Sequence, residues 1–260
     1  MAEDARAVAF ENQNGIGVIR FQNPPLNIMT NRYVQEFREA LDWAEGTKDL
    51  KVIVLCNQGK CFGAGADVND MKAYLESHTY VSVKMHNAIT IADRLANLPV
   101  PVIGAIDGMA LGGGFELALA CDLRVISENG KVALTEINFD SFPGMGGVPR
   151  LIALVGYSRA MKMMLFAEEL DAEAACREGV VNAVAHGETA CELAMRWAAE
   201  LNQKAKSGLA AVKKMAHCLQ KKEQDYLYLF SQNLSREVAE SGALHRQCEA
   251  FINRKKKIEK

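Results

Sequence analysis

The stretch Pro101-Val-Ile-Gly-Ala-Ile106, followed directly by Asp107-Gly-Met-Ala-Leu-Gly-Gly-Gly-Phe-Glu-Leu117, decides the fold. Its first part is a continuous apolar run, which predicts a strand buried on both faces. Its second part places three consecutive glycines before a helix predicted from Gly114 to Cys121. Because glycines inside an element lower its stability, we expect either a close backbone approach or tight strand–helix packing there. The exposed N–H groups at the start of such a helix can bind an anion.

Working outward, the chain alternates between strand and helix patterns. Further buried strands are predicted at 52–56 and 123–126, with a helix at 81–98 between strands. This alternation predicts an α/β architecture with repeated crossover units. Before it, the sequence predicts a hairpin of strands 7–10 and 17–21, and a helix from Asn31 to Glu45 with Thr30 as its N-cap.

From residue 159 onward the pattern is almost entirely helical. The helices predicted there are 159–167, 171–178, 187–203, 205–219 and 223–239. Strand signals therefore crowd the first half of the chain and helix signals the second half. We expect an α/β core over residues 1–199 and a helical subdomain over residues 200–260.

The composition is that of an ordinary globular protein. Of its 260 residues, 49% are apolar and 24% are charged, close to the average for soluble domains. The 30 basic and 32 acidic residues leave a net charge of −2. A disordered chain would have fewer apolar residues, and a general nucleic-acid binder would usually have a basic excess. We therefore expect a sizeable core and no nucleic-acid partner.

The cysteines and the apolar segments bear on the compartment. Seven cysteines have scattered spacings, without a CxxC pair or zinc-finger spacing, which favours free thiols in a reducing compartment and no metal site. The first residues carry acids and no apolar signal segment, so neither secretion nor organelle import is expected. The longest apolar stretch, Leu98 to Leu119, is interrupted by prolines, acids and glycines and cannot span a membrane. The prediction is a cytoplasmic protein.

Three segments carry residues suited to chemistry. Lys60-Cys-Phe-Gly-Ala-Gly-Ala-Asp67 follows a predicted strand, and its small residues let a ligand approach the backbone. Glu116 follows the three glycines, and Glu136 lies in the segment Leu134–Leu151. An apolar neighbourhood raises the pKa of a carboxyl group, which suits general acid–base work. Taken singly, the three features have ordinary explanations: a tight turn, an acid placed well at a helix N-terminus, and a solvated loop residue.

Together the three segments resemble the enoyl-CoA hydratase/isomerase (crotonase) family, over roughly residues 7 to 258. Ile106–Asp122 is similar to the family signature, and Phe62-Gly-Ala-Gly-Ala-Asp67 looks like the family's first oxyanion segment. Pro143-Gly-Met-Gly-Gly-Val-Pro-Arg-Leu151 resembles the segment after its second glutamate, and Ala250–Lys255 resembles its terminal helix. The resemblance implies a spiral of repeated β-β-α units with a C-terminal helical subdomain.

The resemblance also implies roles for individual residues. The backbone N–H groups of Ala64 and Gly113 would form an oxyanion hole that polarises a thioester carbonyl. Glu116 would activate a water molecule and Glu136 would deliver a proton to the α-carbon, and two such carboxyl groups titrate as a pair. The further residues expected to bind the substrate and its coenzyme A are Lys60, Gly63, Ala66, Asp67, Gly112 and Pro143.

The implied substrate is a coenzyme A thioester, with no permanently bound cofactor. The basic tail Arg254–Lys257 either binds the phosphates of coenzyme A or is a solvated charge run. The implied assembly is a trimer or a dimer of trimers, in which the helices of residues 200–260 mediate oligomerisation and cover the active site.

Because both glutamates are present, we expect reversible hydration of a 2-enoyl-CoA to a 3-hydroxyacyl-CoA, a reaction of fatty acid metabolism. A double-bond isomerase or another thioester reaction of the same fold is the alternative. An RNA-binding protein or a catalytically silent scaffold are the non-enzymatic alternatives.

Three residues depart from the family pattern. Asp140 stands where many members have glycine, Phe115 where a small residue is common, and Phe142 adds bulk before Pro143. Asp140 is either a third ionisable group or a loop cap. These departures bear on the acyl group that the site accepts.

Overall fold

The computed structural model describes the backbone of residues 6–258 and the side chains of residues 6–217 and 230–254. Within these residues the strands are β1 (Val8–Gln13), β2 (Ile16–Phe21), β3 (Val52–Asn57), β4 (Cys61–Gly63), β5 (Val102–Ile106), β6 (Met109–Leu111), β7 (Leu123–Ser127), β8 (Lys131–Ala133), β9 (Leu170–Asp171) and β10 (Ala183–Ala185).

The helices are α1 (Asn31–Gly46), α2 (Val68–Glu76), α3 (His86–Ala96), α4 (Gly113–Leu119), α5 (Gly147–Val155), α6 (Tyr157–Leu165), α7 (Ala172–Arg177), α8 (Ala190–Asn202), α9 (Lys206–Glu240) and α10 (Ala243–Ile258). A π-helical turn spans Tyr80–Met85, and a 3-10 helix spans Glu136–Phe139.

The strands form two sheets that the chain visits in turn. The larger sheet has the order β1-β2-β3-β5-β7-β10, and the smaller has the order β4-β6-β8-β9. Three successive strand pairs, β3/β4, β5/β6 and β7/β8, each put their first strand in the larger sheet and their second in the smaller one. Except for the antiparallel pairs β1·β2 and β8·β9, neighbouring strands are parallel. The expected α/β spiral of repeated units, with helices following at the C-terminal end, is confirmed.

The larger sheet is covered on both faces, as its uninterrupted apolar strands predict. On one face, α8 packs small residues such as Ala194 and Ala198 against Val52 and Val54 of β3. On the other face lies the main core, in which the rings of Phe21, Tyr33, Phe37 and Phe62 contact one another. The ring centroids of Phe21 and Phe62 lie 5.2 Å apart, edge to face, which is a favourable aromatic geometry.

The N-terminal hairpin and the first helix agree with the sequence predictions. Asn14 and Gly15, both with positive φ, make the two-residue turn between β1 and β2. The Thr30 side chain accepts a hydrogen bond from the Tyr33 N–H at 3.2 Å and so caps α1.

Other element boundaries were predicted wrongly. The helices predicted at 205–219 and 223–239 form one helix, α9, because the intervening Leu219-Gln-Lys-Lys222 contains no glycine or proline to end it. The helix predicted at 81–98 begins with the π-helical turn. Strands β4, β6, β8, β9 and β10 were missed because each is only two or three residues long. The division of the chain at residue 200 stays a prediction.

The two sheets and the helix α4 meet where two backbones touch. A Cβ atom built on Gly114, in the first turn of α4, would lie 2.2 Å from the carbonyl oxygen of Gly63, at the end of β4. A Cβ atom on Gly63 would in turn lie 3.1 Å from the Cα atom of Gly114. The close backbone approach expected from the three glycines is therefore confirmed for Gly114.

We expect Gly114→Ala to destabilise the fold, because the obstructing atoms belong to the backbone and cannot move like a side chain. The expected loss in the free energy of unfolding is about 1–3 kcal/mol or more, measured by denaturant titration. Gly46→Ala is the matched control, since Gly46 ends α1 and an added Cβ atom would meet nothing within 4 Å. The control should be neutral or slightly stabilising, and equal losses in the two variants would contradict the prediction.

Candidate active site

The ends of three parallel strands bring the chemical segments together. Strands β4, β6 and β8 are neighbours in the smaller sheet and run parallel. Their carboxyl ends therefore lie at one edge, where the chain continues into Ala64, Gly112 and Leu134 respectively. The Gly112 N–H donates to the Ala133 carbonyl at 2.9 Å, which extends the pairing up to the glycines.

The same edge opens into a cavity of about 490 Å³, within the range of small-molecule sites. Its walls come from the loop after β4, α2, the π-helical turn, α3, the start of α4, the segment 135–145 and α10. The lining residues are Leu26, Ile28, Met29, Ala64, Gly65, Ala66, Asp67, Val68, Asn69, Met71, Tyr80, Lys84, Met85, Ala88, Gly112, Gly113, Glu116, Thr135, Glu136, Phe139, Ser141, Phe142, Gly144, Met145, Leu244, Phe251 and Ile252.

The N–H group of Ala64 does not point into this cavity. It donates to the carbonyl oxygen of Leu26 at 3.0 Å. A group already used in this way is not available to a ligand, so the prediction of Ala64 as an oxyanion donor is wrong. The N–H group that is available to a ligand therefore belongs to a later residue of the same loop.

Two other N–H groups, those of Ala66 and Gly113, point away from the residues that hydrogen-bond to the carbonyl of the same peptide unit. In a trans peptide unit the C=O and the N–H point in opposite directions. The carbonyl of Gly65 accepts from the Met29 N–H at 2.9 Å, so the Ala66 N–H of the same unit points away from Met29. The carbonyl of Gly112 accepts from the Glu116 N–H at 2.9 Å, so the Gly113 N–H points out of the N-terminus of α4.

Close contact between the two loops makes these donors neighbours. A Cβ atom on Gly65 would lie 3.4 Å from the Gly113 nitrogen. Gly65 has a φ of +88°, a conformation that a side chain would strain. Ala66 and Gly113 both line the cavity. The geometry is that of a pair of backbone donors facing one point.

Glu116 is held rigidly beside these donors. Its side chain is 2% exposed, and its Oε1 accepts from the N–H groups of Met145 and Gly147 at 2.8 Å each. Burial raises the pKa of this carboxyl to about 7, although the two N–H donors and the charge of Arg150 oppose the rise. Glu116 is therefore poised to take or release a proton near neutral pH.

Glu136 faces the cavity from the 3-10 helix and is held differently. Its two carboxyl oxygens are buried, and neither meets a hydrogen-bond partner among the described residues. Burial, followed by the negative charge of Glu116, raises the pKa of this carboxyl well above its usual range. Oε1 lies 3.2 Å from where a Cβ atom of Gly112 would stand, so a side chain at position 112 would crowd this carboxyl group.

Arg150 orders the segment that orients Glu116. It donates to the Met145 carbonyl at 2.7 Å and forms an ion pair with Asp93 at 2.9 Å. The N–H of the same Met145 donates to Glu116. Sequence reasoning placed Arg150 in a family segment but gave it no role, because its partner Asp93 lies 57 positions away in the chain.

The other predicted site residues divide into two groups. Ala66, Asp67, Gly112 and Gly113 line the cavity with the two glutamates. Three residues predicted to bind the substrate do not line it, namely Lys60, Gly63 and Pro143. Lys60 is exposed at the start of β4, the end remote from the cavity. Gly63 is covered by Gly114, and Pro143 by the segment around Gly147.

The three departures from the family pattern have different outcomes. Phe115 is fully buried in the main core and does not line the cavity. Asp140 is exposed with a φ of +52° and ends the 3-10 helix, so it is the loop cap. Phe142 lines the cavity, as expected from its position.

Neither a metal site nor a membrane helix is found in the part of the chain that the structure describes. No group of three or more His, Cys, Asp or Glu side chains there could hold a metal ion. None of the helices there is long and apolar enough to cross a membrane.

Comparison with known proteins places this chain in a family. The model of the enoyl-CoA hydratase/isomerase family matches residues 11–258. The chain belongs to the enoyl-CoA hydratase/isomerase family. It is 31% identical over 207 residues to a probable enoyl-CoA hydratase of Bacillus subtilis, covering 79% of this chain and 80% of that one.

Two further matches concern a longer protein and the fold. The peroxisomal fatty acid beta-oxidation multifunctional protein AIM1 of Arabidopsis thaliana is 26% identical over 235 residues, which cover 90% of this chain but 33% of that protein. The crystal structure of an enoyl-CoA hydratase from Bacillus halodurans superposes with a TM-score of 0.86, over 94% of this chain and 99% of that one. At 19% identity this likeness shows the crotonase fold alone.

We expect Glu116→Gln to change how stability depends on pH. The folded protein holds the carboxyl proton up to about pH 7, whereas the unfolded chain releases it near the ordinary glutamate value. The free energy of unfolding therefore falls as pH rises through this window. The shift from 4.5 to about 7 corresponds to about 3 kcal/mol.

Glutamine keeps the shape and the acceptor oxygen but carries no charge, so Glu116→Gln should be more stable than the original protein at pH 8 and similar at pH 4.5. Denaturant titrations at a series of pH values measure this difference. Part of the slope should remain, since Glu136 shifts in the same direction. Parallel curves for the two proteins would contradict the burial of a titrating Glu116.

Proposed function

We propose that this protein is an enoyl-CoA hydratase, which adds water reversibly to the 2,3 double bond of an enoyl-CoA thioester. One observation carries the proposal: two buried carboxyl groups, Glu116 and Glu136, face the same cavity beside two backbone N–H donors. The probable hydratase of Bacillus subtilis, similar over most of its length, supports the same reaction.

The oxyanion hole proposed here consists of the N–H groups of Ala66 and Gly113. They would donate to the thioester carbonyl oxygen and stabilise the enolate that forms when water attacks. Preorganised donors of this kind contribute a few kcal/mol to transition-state stabilisation. The N-terminus of α4 adds the favourable field of its helix dipole.

The two glutamates would divide the proton transfers. Glu116 accepts two N–H hydrogen bonds that favour its ionised form, so it would take a proton from water as the hydroxyl oxygen bonds to the β-carbon. Glu136 accepts no such hydrogen bond from the described residues and is repelled by Glu116, so it would stay protonated and deliver a proton to the α-carbon. One proton is taken up and one is given, which leaves the total on the pair unchanged.

The cavity would hold the acyl part and the pantetheine arm of the thioester. Asp67 and Gly112 would help shape it, and α10 would cover it through Leu244, Phe251 and Ile252. Lys60 is exposed and does not line the cavity, so a contact with the coenzyme A phosphates would have to form outside it. Arg254 is exposed near the end of α10, whereas the side chains of Lys255–Lys257 lie outside the described residues.

Homo-oligomerisation as a trimer or hexamer and a cytoplasmic location remain proposals. Large apolar side chains in the second half of the chain support the assembly, since Phe166, directly after α6, and Val212 and Met215, on α9, are at least 70% exposed. Such side chains become buried where copies of a chain meet.

Both glutamates should be required for hydration. We expect Glu116→Gln and Glu136→Gln each to lower kcat by roughly 100- to 10,000-fold, because each variant removes one of two proton transfers. The loss of absorbance of the conjugated thioester measures the reaction, with crotonyl-CoA and a panel of longer, branched and cyclic enoyl-CoAs. Retained activity in Glu136→Gln beside loss in Glu116→Gln would contradict the paired mechanism. Migration of a 3,4 double bond without hydration would support an isomerase instead.

The Gly113 donor can be tested separately. Gly113 is the first residue of α4, a position where proline is tolerated because its missing N–H is not used by the helix. Gly113→Pro should lower kcat by more than about 100-fold, while Gly113→Ala, which keeps the N–H, should lose much less. In the alanine control the added Cβ atom would be close only to the flexible sulfur atoms of Met29 and Met145, at 3.2 Å, and in ordinary contact with the Gly65 Cα atom at 3.8 Å. Similar losses in both variants would assign the effect to crowding.

A further inference from the structure

A lysine stands in the cavity wall where the hydration mechanism uses none. Lys84 lies in the π-helical turn, lines the cavity and is only 6% exposed. Burial lowers the pKa of its ammonium group. A lysine is seldom buried to this extent unless a partner compensates for its lost hydration.

None of the side chains that the structure describes is such a partner. The charges of two carboxylates, Asp70 and then Asp67, raise the pKa of Lys84 and so oppose the effect of burial. Asp67 accepts from the N–H groups of Asn69 and Asp70 at 2.7 and 3.0 Å, which caps α2. Asp70 accepts from the N–H of Asn31 at 3.0 Å. No carboxylate of the described residues lies within 4.0 Å of the Lys84 nitrogen.

Most of the surrounding wall is apolar, although Asp67 and Asn69 also line it. The side chains that line the cavity from α2, the π-helical turn, α3 and α10 include Met71, Tyr80, Met85, Ala88 and Leu244. Lys84 is the only lysine or arginine among the described lining residues. A plain hydrocarbon chain in this part of the cavity would displace water from the ammonium group and leave its charge uncompensated.

We propose that the cavity accepts acyl-CoA thioesters whose acyl chain ends in a carboxylate, and that Lys84 binds this carboxylate. The inference rests on the proposed hydratase function and names its substrate class, the enoyl-CoA thioesters of dicarboxylic acids. The methylenes of the chain would contact the apolar wall, and the terminal carboxylate would form an ion pair with the ammonium group. Lys84 is thus a specificity-determining residue that does not touch the reacting carbons.

Coenzyme A itself carries anions, but they suit this place poorly. Its phosphate groups carry several charges and stay strongly hydrated, so they favour sites with several basic groups open to solvent. Lys84 offers a single ammonium group inside an apolar wall. A carboxylate with one charge matches it more closely.

Binding of saturated thioesters tests the inference without any reaction. Isothermal titration calorimetry compares glutaryl-, adipyl- and pimelyl-CoA with valeryl-, hexanoyl- and heptanoyl-CoA, which have the same chain lengths without the carboxylate. For the chain length that fits, we expect roughly 10- to 100-fold tighter binding of the carboxylated thioester. Lys84→Met, which keeps the volume and removes the charge, should abolish this preference.

Two controls separate the outcomes. Lys162→Met removes an exposed lysine on α6 away from the cavity and should keep the preference. Thermal unfolding of Lys84→Met shows whether the variant is folded. If the variant does not fold, the original protein's preference for the carboxylated thioester still tests the inference. Equal affinity for both members of every pair would overturn the inference. Equal weakening of both members in Lys84→Met would assign Lys84 to the coenzyme A phosphates and overturn it as well.

Turnover distinguishes this inference from the proposed function. The original protein should hydrate 2-hexenedioyl-CoA with a higher kcat/KM than 2-hexenoyl-CoA, and Lys84→Met should reverse or remove the difference. Selective binding of carboxylated thioesters without hydration of any enoyl-CoA would support the Lys84 site and overturn the hydratase proposal. Hydration of both substrates at equal kcat/KM would support the hydratase and overturn the substrate class.

Discussion

The contact between the backbones of Gly63 and Gly114 is the constraint on which the rest of the structure depends. It lets α4 start directly against the end of β4, with a clearance that no side chain permits. As a result, the loop after β4 and the N-terminus of α4 lie side by side, and the N–H groups of Ala66 and Gly113 can face one point. A spacing larger by one methyl group would separate the two loops and their donors.

Burial of two carboxyl groups in one cavity lowers the stability of the folded state. The protein compensates for this loss with hydrogen bonds at one carboxyl group but not at the other. Glu116 receives two N–H donors from the segment that Arg150 holds in place. Glu136 receives none within the described residues, and the charge of Glu116 opposes its ionisation. This asymmetry separates the two carboxyl groups into a base and an acid near neutral pH, which is the division of labour that hydration requires. The apolar cores on the two faces of the larger sheet stabilise the fold and compensate for the buried carboxyl groups.

Lys84 is a second charged group whose burial in the cavity wall has a cost. An ammonium group inside an apolar wall has a free energy cost that a complementary ligand removes. The cost falls on every uncharged acyl chain that would cover the ammonium, so the residue both attracts one class of substrate and rejects another. The π-helical turn that carries Lys84 fits this reading, because such turns are found frequently at functional sites.

The α/β architecture and the importance of the three glycines and the two glutamates could be predicted from the amino-acid sequence alone. Continuous apolar runs such as 52–56 and 101–106 are typical of strands in a parallel sheet that is covered on both faces. Three glycines before a helix indicate a close approach of two backbones. Only the tertiary structure decided which loop N–H is available, since the Ala64 donor is taken by Leu26, a residue remote in sequence. It also sent Phe115 into the core, left Lys60 at the far end of β4 and brought Lys84 to the cavity. The direction of a hydrogen bond and the burial of a charge depend on contacts between distant segments, which local sequence patterns do not contain.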